Sequence, residues 1–225
     1  MRIGPLEAHR LWAPSYDAEA NPLLALEQRT LTAALGDLRG KRLLDAGCGT
    51  GRWMMEARAR GATAVGADRS AEMLARARGK PGLAGRLALA GLDRLPFPDG
   101  IADVVLCAFA LSYAEPLEKA VAELARVAKA GGEVIASDVH PEGYRRGWTR
   151  SFRSGSDVYE IEHQSYTVEQ LVAAGRAAGL ALRELLEARF DEPERVIFCR
   201  AGKEALFEAA REIPAVLIAR WRRPR

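Results

Sequence analysis

Five short apolar runs alternate with helical segments across residues 42–139, and that alternation leaves few ways for the chain to fold. The runs are RLLDAG (42–47), TAVGAD (63–68), RLALAG (86–91), ADVVLCAF (102–109) and EVIASDV (133–139). Helical character fills GRWMMEARARG (51–61), SAEMLARARG (70–79) and PLEKAVAELARVAKAGG (116–132). Strands that alternate with helices form a mostly parallel sheet with helices on both faces. ADVVLCAF is apolar on both faces and is expected to be buried on both sides. Ser70 is placed to cap one helix. Pro116 is expected to open another, with Gly131 just past its end, and Gly61 to close a third.

The flanks depart from this rhythm. Residues 1–40 read as helical, with Asn21 before Pro22 as an N-cap signature. Residues 140–166 read as an irregular insert. Thr167 caps a helix over TVEQLVAAGRAAG. ALRELLEARF and RVIFCRAG are then read as two strands joined by the turn DEPE, an antiparallel hairpin ending the sheet. KEALFEAAREIPAVLIARW is read as a final helix interrupted at Pro214. The expected fold is α/β, a doubly wound, mostly parallel seven-stranded Rossmann-like sheet with an antiparallel C-terminal hairpin and a helical N-terminal lid. One domain is expected over residues 1–225: lid 1–40, core 41–138, insert 139–166, sheet completion and helix 167–225.

The composition excludes several classes. The chain has 225 residues, 48% hydrophobic and 28% charged, enough for one full core. Lysine and arginine number 33 against 30 acids, a net charge of +3 that does not by itself call for nucleic acid. Cys48, Cys107 and Cys199 are scattered and show no metal spacing, so reduced thiols are expected. The N-terminal MRIGPLEAHR carries an acid and no apolar signal core, and no run is long enough to span a bilayer, so a cytoplasmic location without membrane contact is expected.

The chemistry concentrates in RLLDAGCGTGRW. A strand that ends in glycines and feeds a helix lets backbone N–H groups approach a nucleotide-like ligand. A dinucleotide site needs G-x-G-x-x-G. Here Gly47, Gly49 and Gly51 give G-x-G-x-G, and Arg52 stands where the third glycine belongs. Asp45, two residues before the first glycine, would repel a pyrophosphate and attract a cation. Asp68 ends the next strand, where a carboxylate can take both ribose hydroxyls. The pattern asks for a ribose and a positive charge without phosphates. S-adenosylmethionine has both.

These segments resemble a known family. LLDAGCGTG is similar to the first motif of class I S-adenosylmethionine-dependent methyltransferases, and VGADRSAEMLARAR to their acidic-loop motif. LDRLPFPDGIADVVLCAFALSYAEP and LARVAKAGGEVIASD resemble the later motifs. LWAPSYDAEAN resembles the lid of the small-molecule branch, the ubiquinone-biosynthesis and malonyl-carrier methyltransferases. The resemblance implies that Asp45, Gly47, Cys48 and Gly49 meet the methionine tail. It implies that Asp68 holds the ribose, with Arg69 and Met73 beside the adenine. The family's adenine-side acid is replaced by Gly91, so either the Leu92 backbone acts alone or Asp93 substitutes. Cys107, Ala108 and Phe109 are expected near the methyl end, and Tyr16 in the lid.

The insert follows the fifth strand on the ligand-binding edge. It carries His140 and His163, the two expected acid/base candidates, among aromatic residues. Cys199 is expected in the core of an apolar strand. Arg29 is expected on a solvated helix face. The function implied is in-line methyl transfer to an O, N or C nucleophile of a small-molecule acceptor, without metal, by a monomer or homodimer. RNA methylation and a non-catalytic cofactor-binding module are the alternatives, and nucleic acid is not an expected partner.

Overall fold

The computed structural model describes residues 1–225. A two-residue strand β1 (Arg2–Ile3) leads into α1 (Pro5–Trp12) and α2 (Pro22–Ala34). The Asn21 side chain caps α2, accepting from the Leu23 and Leu24 backbone N–H groups. Then come β2 (Arg42–Ala46), α3 (Arg52–Ala59), β3 (Thr63–Asp68), α4 (Ala71–Arg78), β4 (Leu87–Leu89) and β5 (Ala102–Ala108). Ser70 caps α4 through the Met73 N–H. Next are α5 (Leu117–Val127) and β6 (Ala128–Val139). α5 ends before the expected glycine, and Gly131 lies inside β6.

The sheet order is β4-β3-β2-β5-β6, all parallel, continued by two later strands. These central strands are covered on both faces, so alternate residues enter different cores. Leu43, Val104, Leu106 and Ile135 pack with α2 and α3 in one. Leu44, Val105, Cys107 and Val134 pack with α5 in the other.

The insert is ordered. It forms α6 (Pro141–Arg145) and a hairpin of β7 (Ser151–Ser154) and β8 (Asp157–Ile161). β1 joins this hairpin in parallel, pairing Arg2 with Glu160 and Ile3 with Ile161. Ala8, Trp12, Ala13, Met73, Phe152 and Ile161 form a separate apolar cluster beneath it. α1 and the insert are therefore one cap, seated on α4 through Met73, whereas α2, the rest of the expected lid, packs in the core beside α3.

The C-terminal quarter corrects the sequence expectation. α7 (Val168–Ala177) has its expected Thr167 cap, and β9 (Ala181–Ala188) is the expected strand. RVIFCRAG is instead mostly helix, within α8 (Glu192–Arg200). The segment DEPE is its start: Asp191 and Glu194 form a capping box, with Pro193 in the first turn. Cys199 accordingly lies exposed on a helix. α9 (Glu204–Arg211) ends before Pro214, and β10 (Val216–Arg222) follows as a strand. β10 lies between β6 and β9, antiparallel to both. The antiparallel end of the sheet exists, but β9 and β10 build it. Val216 and Ile218 enter one core and Leu217, Ala219 and Trp221 the other, so a strand buried on both faces has no alternation to reveal it.

Candidate active site

The carboxyl ends of β2, β3, β5 and β6 converge under the cap. Gly47 takes φ +77°, and a Cβ there would lie 2.5 Å from the Ala110 Cβ, so only glycine fits the turn. The turn that follows is held from below: the Gly49 N–H donates to Asp68 Oδ2 at 2.8 Å, and the Ser70 N–H donates to Asp68 Oδ1 at 2.8 Å. Burial raises the Asp68 pKa despite those two bonds.

Asp45 is 1% exposed, and its Oδ1 has no hydrogen-bond partner. Burial pushes its pKa up to about 7. The nearby Asp68 and Glu27 carboxylates add to that rise, and Arg52 works against it. A lone buried carboxylate costs free energy unless a cation meets it.

Arg52, in the place of the third glycine, has a structural task. It donates to Glu27 Oε2 at 2.7 Å and to Gln28 Oε1 at 2.6 Å, both on α2. Glu27 is fully buried and also accepts from Trp53 Nε1 at 3.2 Å and from the Ser137 hydroxyl at 2.7 Å. This carboxylate thus ties α2 to α3 and β6. Asp17 adds a second tie, accepting from the Thr50 hydroxyl at 2.7 Å and pairing with Lys80 at 2.7 Å.

Two cavities lie under the cap. The larger, about 480 Å³, is bordered by Gly47, Asp68, Arg69, Leu92, Asp93 and Ala110, among others. The Asp93 side chain folds back over Gly91, where a Cβ would sit 2.6 Å from its Oδ1. The smaller, about 220 Å³, is bordered by Trp12, Tyr16, Phe109, Thr149 and Arg150, among others. His9 and Tyr113 border both, their rings edge to face at 5.0 Å. Phe109 is the one non-glycine residue with positive φ, +53°, at the turn after β5. Such strain persists where surrounding structure imposes it.

The structure thus brings Gly47, Asp68, Arg69 and Leu92 to one wall and Tyr16 to the adjoining one. Asp45, Cys48 and Gly49 lie in the strand end and turn beside them. Cys48 is buried against Gly66, and burial raises its thiol pKa well above normal. Three further expected positions lie behind these walls. Met73 packs into the cap cluster. Cys107 is buried in the core under α5, and Ala108 packs on the opposite core. Neither borders these two cavities; Phe109, the next residue, borders the smaller.

The two expected acid/base histidines are each held by their surroundings. His140 caps α6, its Nδ1 accepting from the Glu142 N–H at 3.1 Å, which leaves Nε2 to donate to Glu187 at 3.0 Å. His163 stacks on Tyr144 at 4.2 Å, with Nδ1 3.1 Å from the Gln164 carbonyl. Neither borders the two cavities. His9, which the sequence reading passed over, borders both. The only signal for it was its place on α1, one turn ahead of the aromatic LWAPSYD. Arg29 is paired: it grips Glu194 of α8 with two bonds, at 3.0 and 2.9 Å.

Comparison with known proteins agrees with this geometry. Residues 44–136 match the family model described as methyltransferase domain. An S-adenosylmethionine-dependent methyltransferase from Mesorhizobium loti superposes with a TM-score of 0.70 at 25% identity, covering 90% of this chain and all of that one. The chain belongs to the class I S-adenosylmethionine-dependent methyltransferases. The demethylmenaquinone methyltransferase of Thermus thermophilus is 40% identical over 140 residues, 57% of this chain and 63% of the relative. Human methyltransferase-like protein 27 is 41% identical over 177 residues, 75% of this chain and 66% of the relative. This methyltransferase chain spans about half, 54%, of the length of its mycobacterial relatives. None of its helices is long and apolar enough to cross a membrane.

Proposed function

We propose that the protein transfers a methyl group from S-adenosylmethionine to a small-molecule acceptor, with the cofactor in the 480 Å³ cavity and the acceptor in the 220 Å³ chamber. The observation that carries this reading is the buried, unpartnered oxygen of Asp45, set beside a glycine turn whose backbone is held by Asp68. The residues fit the cofactor. Asp45 would meet the ammonium of the methionine tail, and Asp68 the ribose hydroxyls. Arg69 and Leu92 would flank the adenine. The carboxylate of Asp93 folds over Gly91, which suits it to the adenine amine in place of the acid the family usually carries there.

The bound cofactor supplies an activated methyl group on sulfur. The protein aligns the acceptor and excludes water, the contribution that orientation makes to a displacement. Tyr16, Phe109 and Tyr113 would form the chamber walls, with the cap over them.

Titration calorimetry with S-adenosylmethionine and S-adenosylhomocysteine tests the reading. Saturable binding of both, lost on Asp68→Ala, is the expected result. Tight binding of NAD with neither sulfur compound bound would overturn it. Demethylated product released only with acceptor present would separate an enzyme from a cofactor-binding module.

A further inference from the structure

We propose that His9 accepts the proton of an acidic hydroxyl, a phenol or an enol, and that the resulting oxyanion faces Arg150 while it takes the methyl group. This rests on the methyltransferase reading above and adds the acceptor class and a proton acceptor to it.

Placement is the first argument. His9 and Tyr113 are the two residues common to both cavities, so His9 stands where a methyl group would pass from one to the other. Of the three histidines, it alone makes no hydrogen bond from its ring to the protein; His140 and His163 both do. Its nitrogens are free for a ligand.

Charge is the second. Arg150 is 13% exposed and borders the chamber. Its NH1 donates to the Ser112 hydroxyl at 2.7 Å and to Asp138 Oδ1 at 3.0 Å, and its NH2 donates to the Phe109 carbonyl at 3.2 Å. Its guanidinium lies 4.5 Å from the Tyr113 ring centre and 5.5 Å from that of Phe109. No acid borders the chamber. Asp138 pairs with this guanidinium but does not border the chamber, so the lining that a ligand meets carries a cation and no acid and favours an oxyanion over a protonated amine.

Base strength is the third. Burial, then Arg150 and Arg69, lower the His9 pKa to about 4. The ring is neutral near pH 7 and able to accept a proton, but it is a weak base. Among hydroxyl acceptors, a phenol or enol, whose anion is delocalised, lies less far above so weak a base than an aliphatic alcohol does. The flat walls of Trp12, Tyr16, Phe109 and Tyr113 suit a planar ring of one or two cycles.

The step balances without another reactant. The acceptor O–H bond breaks and its proton goes to His9. An oxygen lone pair forms the O–CH3 bond as the S–CH3 bond breaks, and that electron pair returns to sulfur, leaving a neutral thioether. His9 then passes the proton to solvent.

The test uses the purified full chain, S-adenosylmethionine, and a panel of catechol, 2-naphthol and 4-nitrocatechol near pH 8. The nitro compound is mostly ionised there and needs no proton acceptor. His9→Asn and His9→Gln are both measured, each checked for the wild-type thermal midpoint. The expected result is methyl ether formation by the wild type. In the variants, kcat falls about 100-fold on the un-ionised phenols and stays within about threefold on the nitro compound. An equal loss on both acceptors would overturn the proton role. Cofactor binding with no phenol methylated would overturn the acceptor class and leave the methyltransferase reading standing. Absence of cofactor binding would remove that reading as well.

Discussion

At the scale of single residues, Asp45 sets stability against binding. Its carboxyl pKa stands at about 7 in the folded protein, against an ordinary value of 3.8. A raised acid binds its proton more tightly folded than unfolded. The native state is therefore penalised progressively as pH rises from about 4, and the penalty levels off above about 7. Asp45→Asn removes it. The variant should be more stable than wild type at pH 8, by about 2–4 kcal/mol, and nearly equal to it at pH 4. The same change should weaken S-adenosylmethionine binding at least 100-fold, read by calorimetry. In the wild type, cofactor affinity should fall about tenfold per pH unit below 7, because the ammonium needs the ionised carboxylate. Glu27 is the opposite case, a buried acid with all its partners present. Glu27→Ala would strand Arg52 and the Trp53 Nε1 proton, and thermal or urea unfolding should show a loss of about 3–5 kcal/mol. Asp45 and Asp68 were legible in the sequence because each sits at a strand end beside glycines. Glu27, Arg150 and His9 were not, because each lies on an ordinary-looking helix or loop and reaches the site only through tertiary packing.

At the scale of elements, the parallel half of the sheet was readable and the other end was not. β2, β3 and β5 carry apolar runs bounded by turn residues, and their helices begin or end at capping positions. α8 and β10 exchange the expected types. RVIFCR shows β-branched and aromatic residues, yet the Asp191–Glu194 capping box starts a helix there. VLIARW has residues that suit a helix or a strand, and only its neighbours β6 and β9 settle the matter. Asp191→Ala should lower stability by about 1 kcal/mol through loss of that cap, measurable as a shifted urea midpoint. α7 packs so closely on β10 that a Cβ at Gly175 would sit 2.4 Å from Trp221 Nε1. Gly175→Ala should therefore destabilise by about 1–3 kcal/mol, although alanine favours helices elsewhere.

At the scale of the whole molecule, the cap joins segments distant in the chain, with β1 paired to β8 and Trp12 stacked on Phe152 at 5.1 Å. The two cavities lie beneath it, and their lining includes residues of both segments, His9 and Trp12 from one and Thr149 and Arg150 from the other. Hydrogen exchange of the backbone over residues 1–20 and 141–162 should slow together when S-adenosylhomocysteine binds, while β5 and β10 stay unchanged. Slowing in one segment alone would mean that they move separately.

The position of β10 has a consequence for how the chain is made. Translation delivers β6 and β9 before the strand that belongs between them. Until residues 216–222 emerge from the ribosome, the edge of β6 is bare and β9 has nothing to pair with. A message truncated after residue 210 would yield a five-stranded fragment with a sticky flank, prone to joining other nascent copies. Late mutations and premature stop codons should thus be as damaging as those at the cofactor turn, though they lie far from any ligand.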